Sequence, residues 1–452
     1  MLRCRVLQKC LPTGPEFSRF QHISEVMTEQ ICSTRLANGA TILTEFMPSL
    51  RSVTLGIWVR RGSRHEPAKL NGICHFIEHT VFKGTERRTA YDIAVESDRL
   101  GGHFDAYTSH ELTGFTLKVV DTALPQAFDL LADMLLRPRF DEQDLQLEQR
   151  VIIEEMKMVE DSPEEFLGEL FNAAYFPDHA LGRPIEGTAE TVSSFTHERT
   201  ARFHAQAFAP RNFIIAAAGN VQHEQLVELA ARACADIEAV ETSTLEPDAT
   251  APPIAAAPIF AERKQELEQA HLILATPWPS ARSEDRYAAS LLASIIGGGT
   301  SSRLWQSIRE ERGLAYSVGA AASGYTDVGV FHIYAGTSPA QVDQVLDLAL
   351  AELRRVVRVH VGADELRLVK DQAIASILLS LESTSARAGT LARQEIIHGR
   401  HIAPDEIIRR LEAVTPDDLQ RLARASFTTN ALAFGALGNL DGFRIDRARL
   451  EI

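Results

Sequence analysis

A chain of 452 residues, 45% hydrophobic and 24% charged, has globular composition and enough length for roughly two to four domains with cores of their own. Its formal net charge of -15 excludes general affinity for nucleic acid or anionic membrane, and no apolar stretch nears the ~20 residues that span a bilayer. Five scattered cysteines (Cys4, Cys10, Cys32, Cys74, Cys234) form no Cys-x-x-Cys pair, which argues against a disulfide scaffold and for a reducing compartment.

Residues 1–22 carry Arg3, Arg5, Lys9 and Arg19 against one acid, Glu16, with no continuous apolar core. A secretory signal is disfavoured; a disordered extension over 1–30 is the first reading and a mitochondrial transit peptide the second, with Met27 as an alternative start. The expected compartment is the bacterial cytoplasm, or the mitochondrial matrix if residues 1–26 are a transit peptide. Thr41–Phe46 and Ser52–Val59 then read as strands rich in Ile, Val and Leu. Gly72–Phe82 has helical character, as does Ala90–Leu100, which stops at Gly101-Gly102. His103–Val120 returns to β character, and Leu124–Leu136 is an amphipathic helix. Asp141–Val159 is a long helix, and Pro163 starts the next. Glu241–Pro258, full of Pro, Ala and Thr, is a linker between nearly equal halves, 31–240 and 259–452.

The halves resemble each other. HELTGFTLKVV at 110–120 matches GYTDVGVFHIYAG at 324–336, and DLQLEQRVIIEE at 144–155 matches ELRLVKDQAIAS at 365–376. The offsets, 329 − 114 = 215 and 365 − 144 = 221, agree within a loop's length and suggest a tandem duplication of one α+β unit. An offset of 221 sets Ile296, Thr300 and Ser376 opposite His75, His79 and Glu155, so the second half is expected to hold no catalytic metal.

Chemistry concentrates in His75-Phe76-Ile77-Glu78-His79. Histidines at i and i+4 project from one helix face, as two ligands of one Zn²⁺ require, and Glu78 lies beside them within reach of a water on that metal. A catalytic zinc normally takes a third protein ligand. Helix 141–159 offers Glu148, Glu154 and Glu155. Glu155 neighbours Val151, Ile152 and Val159, which predicts a buried face, where a carboxylate needs a partner. Glu154 neighbours Arg150 and Lys157, which marks a solvated face. Glu148 precedes Glu155 by one heptad and suits a supporting role.

HFIEHTVFKGT at 75–85, with the carboxylate 155 − 79 = 76 residues further on, resembles the inverzincin peptidases, which include mitochondrial processing peptidase, pitrilysin and insulin-degrading enzyme. The likeness extends through GGHFDAYTSHELTGF (101–115), VIIEEMKMVEDSPEE (151–165) and GGGTSSRLWQSIREERGLAYSV (297–318), the last fitting the smaller bacterial and processing-peptidase branch. It implies two similar α+β domains, each a mixed or antiparallel sheet with helices on one side, arranged as a clamshell around extended peptides. One zinc per chain, held by His75, His79 and Glu155, with Glu78 as base, is implied as well. Arg309 and Tyr316, 316 − 309 = 7 residues apart as in that family, are implied to reach the substrate, and Ala106 is a further substrate contact. Expected partners are peptides, basic or presequence-like among them, and a second copy or related chain. The rival is a non-catalytic partner subunit; such members lose the His or Glu residues, and this chain keeps all four.

Other residues read more plainly. His103 and His110 differ by an odd number of positions, so on one continuous strand they face opposite sides and share no metal. Cys74 is a core thiol, Gly297–Gly299 a turn, and Glu160–Glu165 a solvated helix junction.

Overall fold

Two β-sheets, one from each half of the chain, organise the structure, a computed structural model that describes residues 31–235, 237 and 253–452. The expected extension and most of the expected linker lie outside those residues. The first half runs β1 (Ile31–Arg35), β2 (Thr41–Phe46), β3 (Ser52–Val59), α1 (Ile73–Thr80), α2 (Ala90–Leu100), β4 (His103–Thr108) and β5 (Thr113–Val120). It continues with α3 (Leu124–Leu136), α4 (Glu142–Asp161), α5 (Pro163–Tyr175), α6 (Ala189–Ser193), α7 (His197–Ala207), β6 (Phe213–Gly219) and α8 (His223–Ala233). The second half holds β7 (Ile259–Arg263), β8 (Ala270–Trp278), α9 (Arg286–Gly297), β9 (Ala315–Gly324) and β10 (Gly329–Thr337). After these come α10 (Val342–Arg358), α11 (Ala363–Ser380), α12 (Thr384–His398), α13 (Pro404–Ala413), α14 (Pro416–Ser426) and β11 (Ala433–Gly438).

Strand order is β1-β2-β6-β3-β5-β4 in the first sheet and β7-β11-β8-β10-β9 in the second. Leaving β1 aside, the orders correspond strand for strand. The parallel pair falls at the same place in each, β2 with β6 and β7 with β11, and the other pairings are antiparallel. This is the duplicated two-domain α+β architecture that the internal similarity predicts. A single offset does not carry through it, however. α4 and α11 start 363 − 142 = 221 residues apart, whereas α1 and α9 start 286 − 73 = 213 apart, because the loop before α1 is the longer one. Ile296 and Thr300 are therefore not the counterparts of His75 and His79. α9 itself, RYAASLLASIIG, contains no His, Cys, Asp or Glu.

Each sheet packs helices of its own half on one face. In the first, Phe76, Ile77, Phe115, Leu131 and Phe203 belong to one buried cluster. The opposite face receives a helix from the other half. Ala388, Leu391 and Ala392 of α12 lie on Leu43, Trp58, Ile214 and Ala216 of the first sheet. Reciprocally, Leu167, Phe171 and Tyr175 of α5 lie on Ile273, Ala275, Ala433 and Leu437 of the second. A strand covered on both faces becomes apolar throughout, which is why β6, FIIAAAG, is buried at every position. The exchange also buries a charge pair. Arg387 Nε of α12 donates to Glu45 Oε2 of β2 at 2.6 Å, and Thr384 Oγ1 meets Thr54 Oγ1 at 2.8 Å.

Arg387→Met should thus leave Glu45 buried beside an apolar side chain and cost about 3–5 kcal/mol, whereas adding Glu45→Met should recover most of the loss. Chemical denaturation of the two variants tests this, and equal stability of single and double variants would contradict it.

Candidate metal centre

Local sequence shapes the helix that carries the histidines. α1 has Ile73, Cys74, Phe76 and Ile77 fully buried, so its remaining side is left for His75 and His79. The chain enters it through Gly72 at φ +93°, a left-handed conformation, with Glu186 O only 2.3 Å from where a Cβ would stand. Any other residue would clash there. α4 packs alongside through Leu145, Glu148 and Ile152.

These helices gather one ligand atom each from His75, His79 and Glu155 within 4.8 Å of one another. His79 Nε2 lies 3.6 Å from Glu155 Oε2, close to the roughly 3.4 Å between donors of a tetrahedral zinc with bonds of about 2.1 Å. The other nitrogen, His79 Nδ1, is 3.2 Å from Glu148 Oε2, and Glu148 Oε1 is 2.7 Å from Lys83 Nζ. This arrangement favours a proton on Nδ1 and leaves Nε2 free to ligate. Glu78 is buried, with Thr108 Oγ1 of β4 donating to its Oε2 at 2.6 Å. His75 Nδ1 is buried with no hydrogen-bond partner among the described residues.

The electrostatics follow from burial and crowded carboxylates. Burial lowers His75 to about 4, with His79 adding to the effect, so its imidazole is neutral and one ring nitrogen has its lone pair available. Burial would also lower His79, but the bond to Glu148 and the charges of Glu155 and Glu78 outweigh it and hold His79 above its ordinary value. Burial raises Glu78. Three carboxylates thus face one histidine, a surplus of negative charge that a divalent cation would neutralise. Two imidazoles and one carboxylate form the donor set of a catalytic zinc site, and the residues fit such an ion.

His75, Glu78, His79 and Glu155 meet here, with one change of reason for Glu155. Glu155 does not sit on a buried face: its side chain is 40% exposed and Val151 beside it is 44% exposed. Of its apolar neighbours Ile152 is fully buried and Val159 half-buried, but Val151 is exposed, so Glu155 stands at the edge of the buried face that Leu145, Glu148 and Ile152 form. Glu154 is solvated as expected, 70% exposed and 2.6 Å from Lys157 Nζ. Glu148 is the buried carboxylate. His103 and His110 are not on one strand, since His110 lies in the β4–β5 turn with its Nδ1 2.8 Å from Ser63 Oγ. Ala106 lies within β4, an edge strand.

Arg309 and Tyr316 come together with each other but form no hydrogen bond, ion pair or ring contact with the histidine cluster among the described residues. The helical segment before Gly313 is a π-helix over Trp305–Glu310, and in it the Arg309 guanidinium lies 4.0 Å from the Trp305 ring centroid and 4.9 Å from that of Tyr316. Tyr316 is 80% exposed. Sequence reasoning missed Lys83, Thr108 and Glu66. Lys83 was detectable, four residues after His79 on the same helical side. Thr108 depends on strand placement, and Glu66, which binds the amides of Gly72 and Cys74, had no local signal.

Fold and site together define a duplicated two-domain α+β protein with a candidate metal centre in its first half. The model for the insulinase family (peptidase family M16) matches residues 41–189, and that for the peptidase M16 inactive domain matches residues 194–373. An uncharacterised zinc protease of Streptomyces coelicolor is 40% identical over 396 residues, 86% of each chain. The uncharacterised zinc protease YmxG of Bacillus subtilis is 38% identical over 393 residues, covering 86% of this chain and 94% of its own. The crystal structure of a protease from Helicobacter pylori shares the fold with TM-score 0.83 at 22% identity, over 90% of this chain and 99% of that one. The chain belongs to the insulinase family of peptidases, family M16.

Glu155→Gln should weaken zinc binding sharply, and Glu154→Gln, a single turn-neighbour away on the solvated face, should change it little. Metal analysis after dialysis checks this; the reverse order would place the third donor on the wrong residue.

Proposed function

We propose that the protein is a zinc-dependent endopeptidase acting on extended or unfolded peptides. The observation that carries this reading is the convergence of His75, His79 and Glu155 beside Glu78. His75 Nδ1 or Nε2, His79 Nε2 and a Glu155 oxygen would hold the zinc. When bound, that ion would polarise the scissile carbonyl and acidify a water. Glu78, its pKa raised by burial, takes the proton of the attacking water and delivers it to the leaving amine. Thr108 occupies Glu78 Oε2 and leaves Oε1 as the basic atom. Because Thr108 ends edge strand β4, a peptide added along that edge past Ala106 would bring its backbone beside Glu78.

Basic peptides suit the surroundings of Glu169. Burial, together with Glu186, Glu160 and Glu165, pushes its carboxyl up to about 7, and a peptide cation would relieve that repulsion. Arg309 and Tyr316 would hold a peptide carbonyl and stabilise the developing oxyanion. Tyr316 is the second residue of β9, whose other end meets the first half through the β9–β10 turn. Eight residues of strand, about 26 Å at 3.3 Å each, separate it from that turn. We propose that the pair serves a second chain, so that two copies, or this chain and a related one, complete the site. The second reading, a non-catalytic partner subunit, draws support from the inactive-domain match over 194–373. A chain that takes up no zinc would favour it.

Glu78→Gln should keep its zinc and lose about two to four orders of magnitude in turnover of a fluorogenic peptide. Near-normal turnover would rule out Glu78 as the base, and loss of metal would make it a ligand. Tyr316→Phe should lower kcat about 100- to 1,000-fold with zinc retained. Mixing the two inactive variants should then restore activity if sites are shared between copies. No recovery after verified subunit exchange would mean that each chain works with its own tyrosine or with none.

A further inference from the structure

The loop Gly62–Glu66 touches the other half of the chain at one end and the metal helix at the other. Ser63 N and Arg64 N donate to Ser109 O at 3.1 Å and His110 O at 2.9 Å, which stitches the loop to the β4–β5 turn. Arg64 then bridges the halves. Its Nη1 is 2.7 Å from Glu111 Oε1 and 2.9 Å from Asp327 Oδ1, and its Nη2 is 2.8 Å from Asp327 Oδ2 in the β9–β10 turn. Glu111 also accepts from Thr326 N at 3.1 Å and Thr326 Oγ1 at 2.6 Å. Two residues after Arg64, the fully buried Glu66 accepts from Cys74 N at 2.7 Å, Gly72 N at 2.8 Å and Asn71 Nδ2 at 3.3 Å. Its own carbonyl accepts from Arg183 Nη2 at 2.8 Å.

α1 needs this help. It has eight residues, and its N-cap is Gly72, which has no side chain to bind the amides of the first turn. Glu66 supplies the missing cap from outside the helix, and a carboxylate there also complements the helix dipole. The amide of Cys74 immediately precedes His75. Without Glu66 two buried amides lose their acceptor, and the turn that carries His75 loses its fastening while His79, a turn further on, stays held by Glu148.

We infer that Glu66 is the positioning residue for His75, and that the Arg64–Glu66 loop couples the seating of the second half to the geometry of the metal centre. The inference rests on the zinc reading above. Zinc affinity, measured by competition with a chromophoric chelator, and the visible spectrum of the cobalt-substituted protein report it directly. Melting of the metal-free protein in parallel separates simple loss of stability from loss of ligand geometry. Glu66→Gln keeps the volume but must turn an NH₂ toward one of the two amides. It should weaken zinc about 10- to 100-fold, the range for residues that orient metal ligands, and alter the cobalt spectrum. Asp327→Ala, in the other half, should weaken zinc roughly 2- to 30-fold. Failure of the wild type to take up zinc would sink the zinc reading itself. A wild type that binds tightly, with Glu66→Gln matching it in affinity and spectrum, would overturn the positioning role. Unchanged affinity in Asp327→Ala would overturn the coupling, and that turn variant carries the test should Glu66→Gln fail to fold.

Discussion

Negative charge crowded around one imidazole is the constraint on which the rest of the site depends. Glu78, Glu148 and Glu155 all act on His79, and burial of the first two leaves little water to screen them. Each carboxylate is handled differently. Glu148 is tied between Lys83 and His79 and held below its ordinary value despite burial. Glu78 accepts a single hydroxyl and is driven up. Glu155 stays partly in solvent, where its charge costs least. The three thereby differ in charge state and exposure, a division set by environment alone, since the side chains are identical, and it matches the roles proposed for them.

Holding those groups in register requires two helices from distant parts of the chain to keep a fixed spacing. Their backing is the first sheet, and that sheet is covered on its far side by a helix of the other half. The duplication explains why this works. Each copy of the unit leaves one sheet face bare, and α5 and α12, at equivalent places after α4 and α11, each cross over to cover the other's sheet. The second half thus covers the apolar far face of the first sheet, while its own α9 is filled by Ala, Leu and Ile.

Much of this was legible in the sequence because it is local. Ala90–Leu100 and Leu124–Leu136 were predicted to the residue, and the His75–His79 spacing needs only helical geometry. Glu155 is chosen by its helix face and agrees with the family spacing, but the burial argued for it belongs instead to Glu148. Helix-face arguments assume that an apolar neighbour is a buried one, and Val151 is not. The exchange of helices was not legible at all. Glu45 in the strand TILTEF looks like a solvent-facing acid, and only Arg387, 342 residues away, shows why it is buried. Glu66 was invisible for the same reason: its partners are backbone amides, which no side-chain pattern encodes.

The second half still carries a group whose state calls for explanation. Three arginines cluster in sequence near β9. Arg303 is paired with Glu365 at 2.7 Å, and Arg312 with Glu311 at 2.7 Å and with Ser307 O at 2.6 Å. Arg309 has neither kind of partner among the described residues; aromatic faces flank it instead. Rings hold a guanidinium in place through its face and leave its edge N–H groups unspent, whereas a carboxylate consumes them. Trp305 and Arg309, four residues apart, lie in one π-helical turn, and such turns concentrate at functional sites. A cation fixed in direction but with its donors free is the form in which an arginine can bind a peptide carbonyl. The two rings weigh against reading Arg309 as an ordinary solvated helix residue.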